Sequence, residues 1–197
     1  MNLLAHALLS GDSPGRVVGG VVADVIRGPV PEELPADVAE GVRLHRRIDI
    51  FTDAHPVTAR SRGRLRSKWG RYSGILVDLV YDYCLVRLWP RFAPGGLPEF
   101  VRGVYGALAD RAPVLPDLTV RYSRVMARED WLTSYGRWDG QRVALERIST
   151  RLRRRVELAA AVADLQALEA ELLGDFEEFF PDVAAHAACY TVAPSEG

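Results

Sequence analysis

The sequence predicts an all-α protein that forms a single-domain helical bundle. Apolar residues recur three and four positions apart through nearly the whole chain, which is the spacing of amphipathic helices. The alternating pattern of paired β-strands is absent from the sequence. Its 197 residues suffice for one sizeable domain, and no repeat or low-complexity linker divides them. We therefore expect one domain over residues 1–197, with residues 191–197 as a loose tail.

Composition and charge exclude several classes of partner. The formal net charge of −1 gives no overall attraction to nucleic acid or to membrane surfaces, so neither is expected. The apolar start MNLLAHALLS lacks a basic leader and is too short to span a bilayer, which favours a cytoplasmic protein. Cys84 and Cys189 stand in apolar surroundings outside any CxxC pair, so two buried free thiols are expected rather than a disulfide.

Stretches rich in proline and glycine divide the helical pattern into segments of about ten to twenty residues. These stretches are residues 11–15, 27–35, 55–56, 91–98, 111–117 and 135–140. The first segment carries His6 four residues after Asn2, and the second carries Asp24 among small and apolar residues. Taken alone, His6 is more often a core histidine and Asp24 a helix cap.

The third segment holds the stretch LHRRIDIFTDAHP, which is dense in ionisable residues. On a helix over residues 38–53 its apolar positions form one stripe, and His45 and Asp49 lie one turn apart beside it. Asp53 extends the same row if the helix reaches that far. A histidine and an aspartate at this spacing can chelate one metal ion, or the aspartate can orient the imidazole. The alternative is an ion pair at a partly exposed position.

The fourth segment, residues 74–89, is apolar almost all round and is therefore expected in the middle of the domain. Asp78 and Asp82 nevertheless lie one turn apart on this helix. Two neighbouring carboxylates in a medium of low dielectric constant must be protonated, paired with cations, or bound to a metal ion. A salt bridge to a nearby arginine is the structural alternative.

Four helical segments thus each offer a carboxylate or an imidazole from mostly apolar surroundings. The candidates are His6, Asp24, His45, Asp49, Asp53, His55, Asp78 and Asp82. Mixed ligation of this kind suits Mn²⁺, Fe²⁺, Mg²⁺ or Zn²⁺, whereas a structural zinc site would require cysteines. The sequence contains no phosphate-binding glycine loop and no GxSxG elbow. Cys84 has no neighbour that would activate its thiol, and His186 is interpreted as a packing residue.

Charge is distributed unevenly along the chain. Residues 43–71 carry nine basic residues against two acidic ones, while no basic residue follows Arg155. This pattern predicts either a molecule with one strongly basic edge or two charged faces that pair with each other in the fold.

Four stretches resemble the acyl carrier protein phosphodiesterases. They are MNLLAHALLS, VVGGVVADVIRG, EGVRLHRRIDIFTDAHPV and YSGILVDLVYDYCL. Later segments, including MAREDWLTSYGRWDG and FFPDV, follow the same family order. The resemblance implies an all-helical enzyme distantly similar to the HD metal-dependent phosphohydrolases. It also implies removal of the 4′-phosphopantetheine arm from a serine of holo-acyl carrier protein, with Mn²⁺ as the expected cofactor and Mg²⁺ or Fe²⁺ as alternatives.

The resemblance gives the candidate residues roles. The expected metal ligands are Asp24, His45 and Asp82, with His6 and Asp78 as further candidates. Asp49 or Asp53 would orient or deprotonate the attacking water, and Arg46 or Arg47 would neutralise charge on the phosphate. The expected substrate-binding residues are Arg47, Arg62, Arg66 and His55. The basic stretch 60–71 would bind the acidic carrier protein. The protein itself is expected to be a monomer or a homodimer.

One position departs from the family pattern. Where relatives commonly have Asp-His in the buried helix, this chain has Asp82 followed by Tyr83. If that histidine is a ligand in relatives, the site binds metal more weakly, uses His55 instead, or is inactive. Two alternatives therefore accompany the hydrolase: a carrier-protein-binding homologue without turnover, and an HD-like hydrolase of another phosphodiester.

Overall fold

The computed structural model describes residues 2–152 and 156–192. Within these ranges the regular structure consists of α-helices and short 3-10 helices without a β-strand, which confirms the all-α prediction. The first six α-helices are α1 (Leu3–Leu9), α2 (Pro14–Val22), α3 (Ala36–Ala54), α4 (Pro56–Trp69), α5 (Ser73–Arg87) and α6 (Trp89–Phe92). The others are α7 (Leu97–Arg111), α8 (Asp117–Arg128), α9 (Trp131–Ser134), α10 (Trp138–Thr150), α11 (Val162–Ala167) and α12 (Glu169–Val192).

Prolines and side-chain caps set several helix boundaries, as the sequence predicts. The Ser13 side chain caps α2 by accepting a hydrogen bond from the Arg16 N–H, and Pro14 occupies the first helical position. The predicted helix over residues 74–89 ends earlier, at Arg87. Pro90 explains the difference, because its ring would clash with a carbonyl of the preceding turn if α5 continued.

Helix α5 forms the centre of the molecule. Its sequence is apolar on every side, and most of its residues are buried against α1, α4, α10 and α12. Tyr81 is completely buried, and its ring packs against Phe176 and Phe179 of α12. The central position predicted for this segment is confirmed.

Helices α2 and α3 pack unusually closely because glycines face the contact. A Cβ atom on Gly19 would lie 2.1 Å from the carbonyl oxygen of Val38, and one on Gly41 would lie 2.2 Å from that of Arg16. Only hydrogen fits at these two positions. The close approach brings the short 3-10 helix Ala23–Val25, which follows α2, alongside α3.

Ion pairs join the basic helix α4 to the acidic C-terminal part of the chain. The buried carboxylate of Asp175 accepts hydrogen bonds from Arg60 at 2.8 Å, from Arg64 at 2.9 Å and from the Ser61 hydroxyl. Lys68 pairs with Asp164 at 2.8 Å. For these residues the structure therefore supports mutual pairing, and the prediction that the whole stretch 60–71 forms an open basic edge is wrong.

Two smaller predictions also need correction. Both cysteines are free, as predicted, but only Cys84 is buried. Cys189 is exposed, so the prediction that both thiols are buried is wrong. Helix α12 continues to Val192, which places the predicted start of the tail inside a helix; residues 193–197 lie outside the described part. None of the helices, as far as they are described, combines the length and apolarity needed to cross a bilayer.

Candidate active site

Two histidines and an aspartate meet at the surface between α1 and α3. His6, His45 and Asp49 each offer a ligand atom, and these atoms lie within 4.8 Å of one another. One carboxylate oxygen of Asp49 lies 3.0 Å from His6 Nε2, and the other lies 3.1 Å from His45 Nε2. The two imidazole rings stack with their centroids 3.6 Å apart. The structure therefore brings together the three residues that the sequence places on two different helices.

Asp24 adjoins this group from a third element. It lies in the 3-10 helix after α2, and its carboxylate oxygen is 3.3 Å from His45 Nε2. The close packing of α2 on α3 is what gives Asp24 this position. The two histidines are buried, whereas the side chains of Asp49 and Asp24 are 39% and 59% exposed. The imidazole side of the cluster is thus buried, and its carboxylate side is open to solvent.

The orientation of His45 is fixed by the backbone. Its Nδ1 lies 2.7 Å from the carbonyl oxygen of Gly20, which can only accept a hydrogen bond, so Nδ1 carries a proton. Nε2 then faces both Asp24 and Asp49. Two carboxylates around one nitrogen require a positive charge there, either a second proton on the imidazole or a bound cation.

Without a cation, the charge in the cluster resides on His45. Burial opposes this charge, but hydrogen bonds with Asp24 and Asp49 outweigh burial and raise the pKa of His45 to about 9. Burial, together with the neighbouring His45, lowers the pKa of His6 to about 4. Burial would raise the pKa of Asp49, yet hydrogen bonds from the two histidines hold it well below its usual range. A divalent cation would take the place of the His45 Nε2 proton.

The donor set fits a divalent metal ion. Neutral imidazole nitrogens and carboxylate oxygens are the ligands that Mn²⁺, Fe²⁺ and Zn²⁺ accept. A metal-binding histidine usually donates its other N–H to a carbonyl or carboxylate, as His45 does to Gly20. Asp24, His45 and His6 retain their predicted place as candidate ligands. Asp49, predicted as a base, contacts both imidazoles and is therefore a further candidate ligand.

Asp82 has a different environment from the one predicted. It is fully buried, and its two carboxylate oxygens accept hydrogen bonds from the backbone N–H groups of Leu4, at 2.8 Å, and Ala5, at 3.1 Å. These N–H groups belong to the first turn of α1, where no intrahelical acceptor exists. Asp82 therefore anchors α1, and with it His6, to the central helix, and it is not a member of the ligand group. Burial raises the pKa of Asp82 to about 7, although both hydrogen bonds oppose this change.

An acidic cleft of about 310 Å³ opens beside the cluster. Four carboxylates line it, those of Asp24, Asp49, Asp53 and Asp78. Burial raises the pKa of Asp78, which comes from the central helix one turn before Asp82. A surface with so many carboxylates binds cations readily and would repel a bare phosphate, so a phosphodiester would need a cation to enter it.

The predicted base Asp53 and its neighbour Arg62 form a pair at the edge of the cleft. Arg62 Nη1 lies 2.8 Å from the Asp53 carboxylate, and Nη2 donates to the Asp53 carbonyl oxygen. Asp53 remains exposed, while Arg62 is held by this pair. The predicted contact of Arg62 with substrate would require the pair to open.

Two arginines predicted to contact phosphate, Arg46 and Arg47, contact other parts of the protein instead. Arg46 donates to the carbonyl oxygens of Ile26, at 3.1 Å, and Gly28, at 2.7 Å. It thereby fixes the segment that follows Asp24, which makes it a positioning residue rather than a group aimed at phosphate. Arg47 lies over the ring of Tyr190, outside the residues that line the cleft.

His55 is likewise structural. Its Nδ1 accepts a hydrogen bond from the Val57 N–H at the start of α4, and its Nε2 lies 3.2 Å from Asp182. It cannot substitute for a ligand of the cluster from this position. Arg66 is exposed on α4. The expected packing role of His186 agrees with its ring stacking on Phe51 at 4.4 Å.

Tyr83, at the position that departs from the family pattern, points away from the cluster. Its hydroxyl donates to Glu169 at 2.5 Å, and its ring stacks on Trp138 at 4.1 Å. Neither partner contributes to the ligand group. The substitution of tyrosine at this position therefore leaves the His6, His45 and Asp49 group intact.

A second pocket, of about 130 Å³, adjoins the acidic cleft. The side chains that line it include three aromatic rings and two cations: Tyr122, Trp131, Tyr135, Arg147 and Arg151. The sequence predictions include none of these residues. They come from α8, α9, α10 and the residues directly after α9 and α10, and no spacing along the chain indicates that they converge.

Comparison with known proteins agrees with the stretches identified in the sequence. A family model described as acyl carrier protein phosphodiesterase matches residues 1–183. A protein named acyl carrier protein phosphodiesterase from Escherichia coli O157:H7 (strain EC4115 / EHEC) is 32% identical over 189 residues, covering 95% of this chain and 98% of the relative. One of the same name from Enterobacter sp. (strain 638) is 31% identical over 188 residues, covering 95% and 97%. No solved structure gives a significant match to the chain.

Proposed function

The chain belongs to the acyl carrier protein phosphodiesterase family, and we propose that it is a metal-dependent phosphodiester hydrolase with holo-acyl carrier protein as its substrate. The reaction would release the 4′-phosphopantetheine arm from the carrier serine and leave apo-acyl carrier protein. The observation that carries this proposal is the group of His6, His45 and Asp49, with Asp24 beside it, at the wall of an open acidic cleft.

The residues of the cluster bind the metal ion in this proposal. His6, His45, Asp49 and Asp24 would hold Mn²⁺, our expected cofactor, with Mg²⁺ or Fe²⁺ as alternatives. The bound cation would offset the charge of the phosphodiester and lower the pKa of a water molecule. The Gly20 carbonyl keeps the His45 ring turned so that Nε2 faces the cleft.

Proton transfer is assigned to carboxylates of the cleft. Asp53 is exposed at its edge and would accept the proton of the attacking water. Asp78, whose pKa burial raises, is suited to return a proton to the departing serine oxygen. The cleft thus offers two carboxylates in different surroundings, which is the arrangement that allows one to act as base and the other as acid.

The acidic carrier protein is the proposed partner, although the surface that receives it differs from the predicted one. Much of the basic stretch 60–71 is neutralised by α12 and by Asp53, while Arg66 stays exposed. The predicted likeness to HD phosphohydrolases stays a prediction, as does the choice between monomer and homodimer.

The decisive experiment incubates the purified protein with holo-acyl carrier protein and Mn²⁺ and follows the mass of the carrier. We expect the carrier to lose the mass of its prosthetic arm, and Asp49→Ala and His45→Ala to abolish this loss. His186→Ala is the matched control, because this exposed histidine belongs neither to the ligand group nor to the lining of the cleft and should leave turnover unchanged. Titration with Mn²⁺ should show weaker binding in the first two variants alone.

An unchanged carrier mass in the presence of bound metal would refute the proposed hydrolysis and favour a binding homologue. Hydrolysis of a simple aryl phosphodiester without any action on the carrier would instead identify another phosphodiester as the substrate. Full activity of Asp49→Ala with unaltered Mn²⁺ binding would refute the assignment of the cluster.

A further inference from the structure

The aromatic pocket and the acidic cleft adjoin each other, and we refer to the two together as one depression. Asn2, Asp24, Leu79 and Ile148 line both of them. A ligand whose phosphate lies beside Asp24 is therefore within reach of both. The cluster of His6, His45 and Asp49 is reached from the cleft side.

The two halves of this depression differ in chemistry. The cleft presents carboxylates, whereas the pocket presents the rings of Tyr122, Trp131 and Tyr135 together with apolar side chains. Rings of this kind pack against methyl groups and amide planes, and tyrosine hydroxyls hydrogen-bond to amides. A volume of about 130 Å³ admits a narrow chain and excludes a folded peptide segment. The pocket thus suits a slender ligand that combines amides with apolar groups.

Two arginines supply positive charge at this pocket, and they differ in how firmly they are held. Arg147 pairs with Glu129 at 2.6 Å and lies over the Trp131 ring at 4.4 Å, which fixes its place in the wall. Arg151 is exposed, lies 6.0 Å from the centre of the Tyr122 ring, and forms no ion pair with a described residue. Arg151 is therefore the cation that is available to a phosphate at the junction with the cleft.

We propose that this pocket is the subsite for the pantetheine arm of the substrate, with Arg151 binding the phosphate and the aromatic rings enclosing the arm. The inference rests on the proposed function and deepens it, because it assigns the two sides of the phosphodiester to different surfaces. The arm enters the pocket, while the carrier serine to which it is joined stays outside the pocket, beside the ligand group. Arg151 also offsets the repulsion between the phosphate and the carboxylates of the cleft.

The test measures the binding of two small probes by calorimetry, so that it does not depend on turnover. The probes are 4′-phosphopantetheine and pantetheine, which lacks the phosphate. Ile148→Trp fills the junction and should weaken the binding of both probes at least tenfold. Arg151→Glu should weaken binding of the phosphorylated probe about tenfold and leave pantetheine binding within twofold. Arg142→Glu, at an exposed arginine of α10 outside the pocket, is the matched control and should change neither.

Circular dichroism of each variant establishes that it is folded. The proposal is overturned if the wild-type protein binds neither probe, or if Ile148→Trp and Arg151→Glu bind both as the wild-type protein does. Turnover of holo-carrier with an unchanged KM in both pocket variants would refute the subsite while leaving the hydrolase function standing. Binding of the probes at the pocket without any turnover of carrier would refute the hydrolase function alone.

Discussion

Replacing Gly19 by alanine should force apart the two helices that bring Asp24 to His45. The new Cβ would lie 2.1 Å from the Val38 carbonyl oxygen and 2.8 Å from the Val42 nitrogen. Ordinary contact begins at 3.4 Å, so α2 and α3 must separate by about 1.3 Å along this direction. Both obstructing atoms belong to the backbone of α3, and no side-chain rotation can relieve the clash.

The cost of this displacement follows from the packing of the two helices. Overpacking a well-filled interior costs about 3 kcal/mol when the backbone itself must move. For a chain of this length such a loss lowers Tm by roughly 6–12 °C. The distance of 3.3 Å between Asp24 and His45 should also open, since these residues lie on opposite sides of the displaced contact. We therefore expect Mn²⁺ binding to weaken about tenfold, which corresponds to roughly 1.4 kcal/mol.

Thermal unfolding and Mn²⁺ titration measure both effects. Gly106→Ala is the matched control, because this glycine lies in α7 and its added Cβ would meet no atom within 4 Å. That substitution should stabilise the helix by roughly 0.5–1 kcal/mol. A Gly19→Ala variant as stable as the wild-type protein would show that the helices are not packed as closely as described.

Three further predictions concern other parts of the molecule. Asp82→Ala should lower the free energy of unfolding by about 2–4 kcal/mol, because two buried N–H groups lose their acceptor. Because burial raises the pKa of Asp82 to about 7, the folded protein retains a proton that the unfolded chain releases above about pH 4. This proton stabilises the wild-type protein at about pH 5 more than at about pH 7.5. The free energy of unfolding that Asp82→Ala loses, measured with urea, should therefore be larger at about pH 5. Asp175→Asn should cost about 2 kcal/mol in the same assay. Glu178→Gln should cost distinctly less, because Glu178 is an exposed partner of the same residue, Arg60. Equal losses would contradict the difference in burial between the two carboxylates. A thiol reagent should modify Cys189 in the native protein and Cys84 only after unfolding, and two reactive native thiols would contradict the burial of Cys84.

Helical periodicity predicted those parts of the site that lie on one helix. His45 and Asp49 are one turn apart, and a helix of any register places them on one face. The convergence of His6 and Asp24 with them was predicted only as a hypothesis from residue type and apolar surroundings. Their actual distances depend on the glycines that bring α2 close to α3, which the sequence alone did not reveal.

Asp82 shows why the sequence alone could not place every candidate ligand. A metal ion, an arginine or the N–H groups of a helix end can each stabilise the charge of a buried carboxylate. The sequence around the carboxylate looks the same in all three cases. The choice depends on which element lies opposite, here the first turn of α1, 78 residues away. The aromatic pocket was missed for the same reason, since Tyr122, Trp131 and Tyr135 meet only through tertiary packing.

The contact of Asp175 with α4 has a consequence for the order of folding. Asp175 is 115 residues from Arg60 and 111 from Arg64, so their contact closes a loop that spans more than half of the chain. Loop closure of this extent is entropically costly, and we therefore expect this contact to form after the rate-limiting barrier. We expect Asp175→Asn to speed unfolding roughly thirtyfold, the kinetic equivalent of about 2 kcal/mol, and to leave the refolding rate nearly unchanged in stopped-flow experiments. The last helix would then act as a latch, whose closure governs how long the native state persists rather than how quickly it is reached.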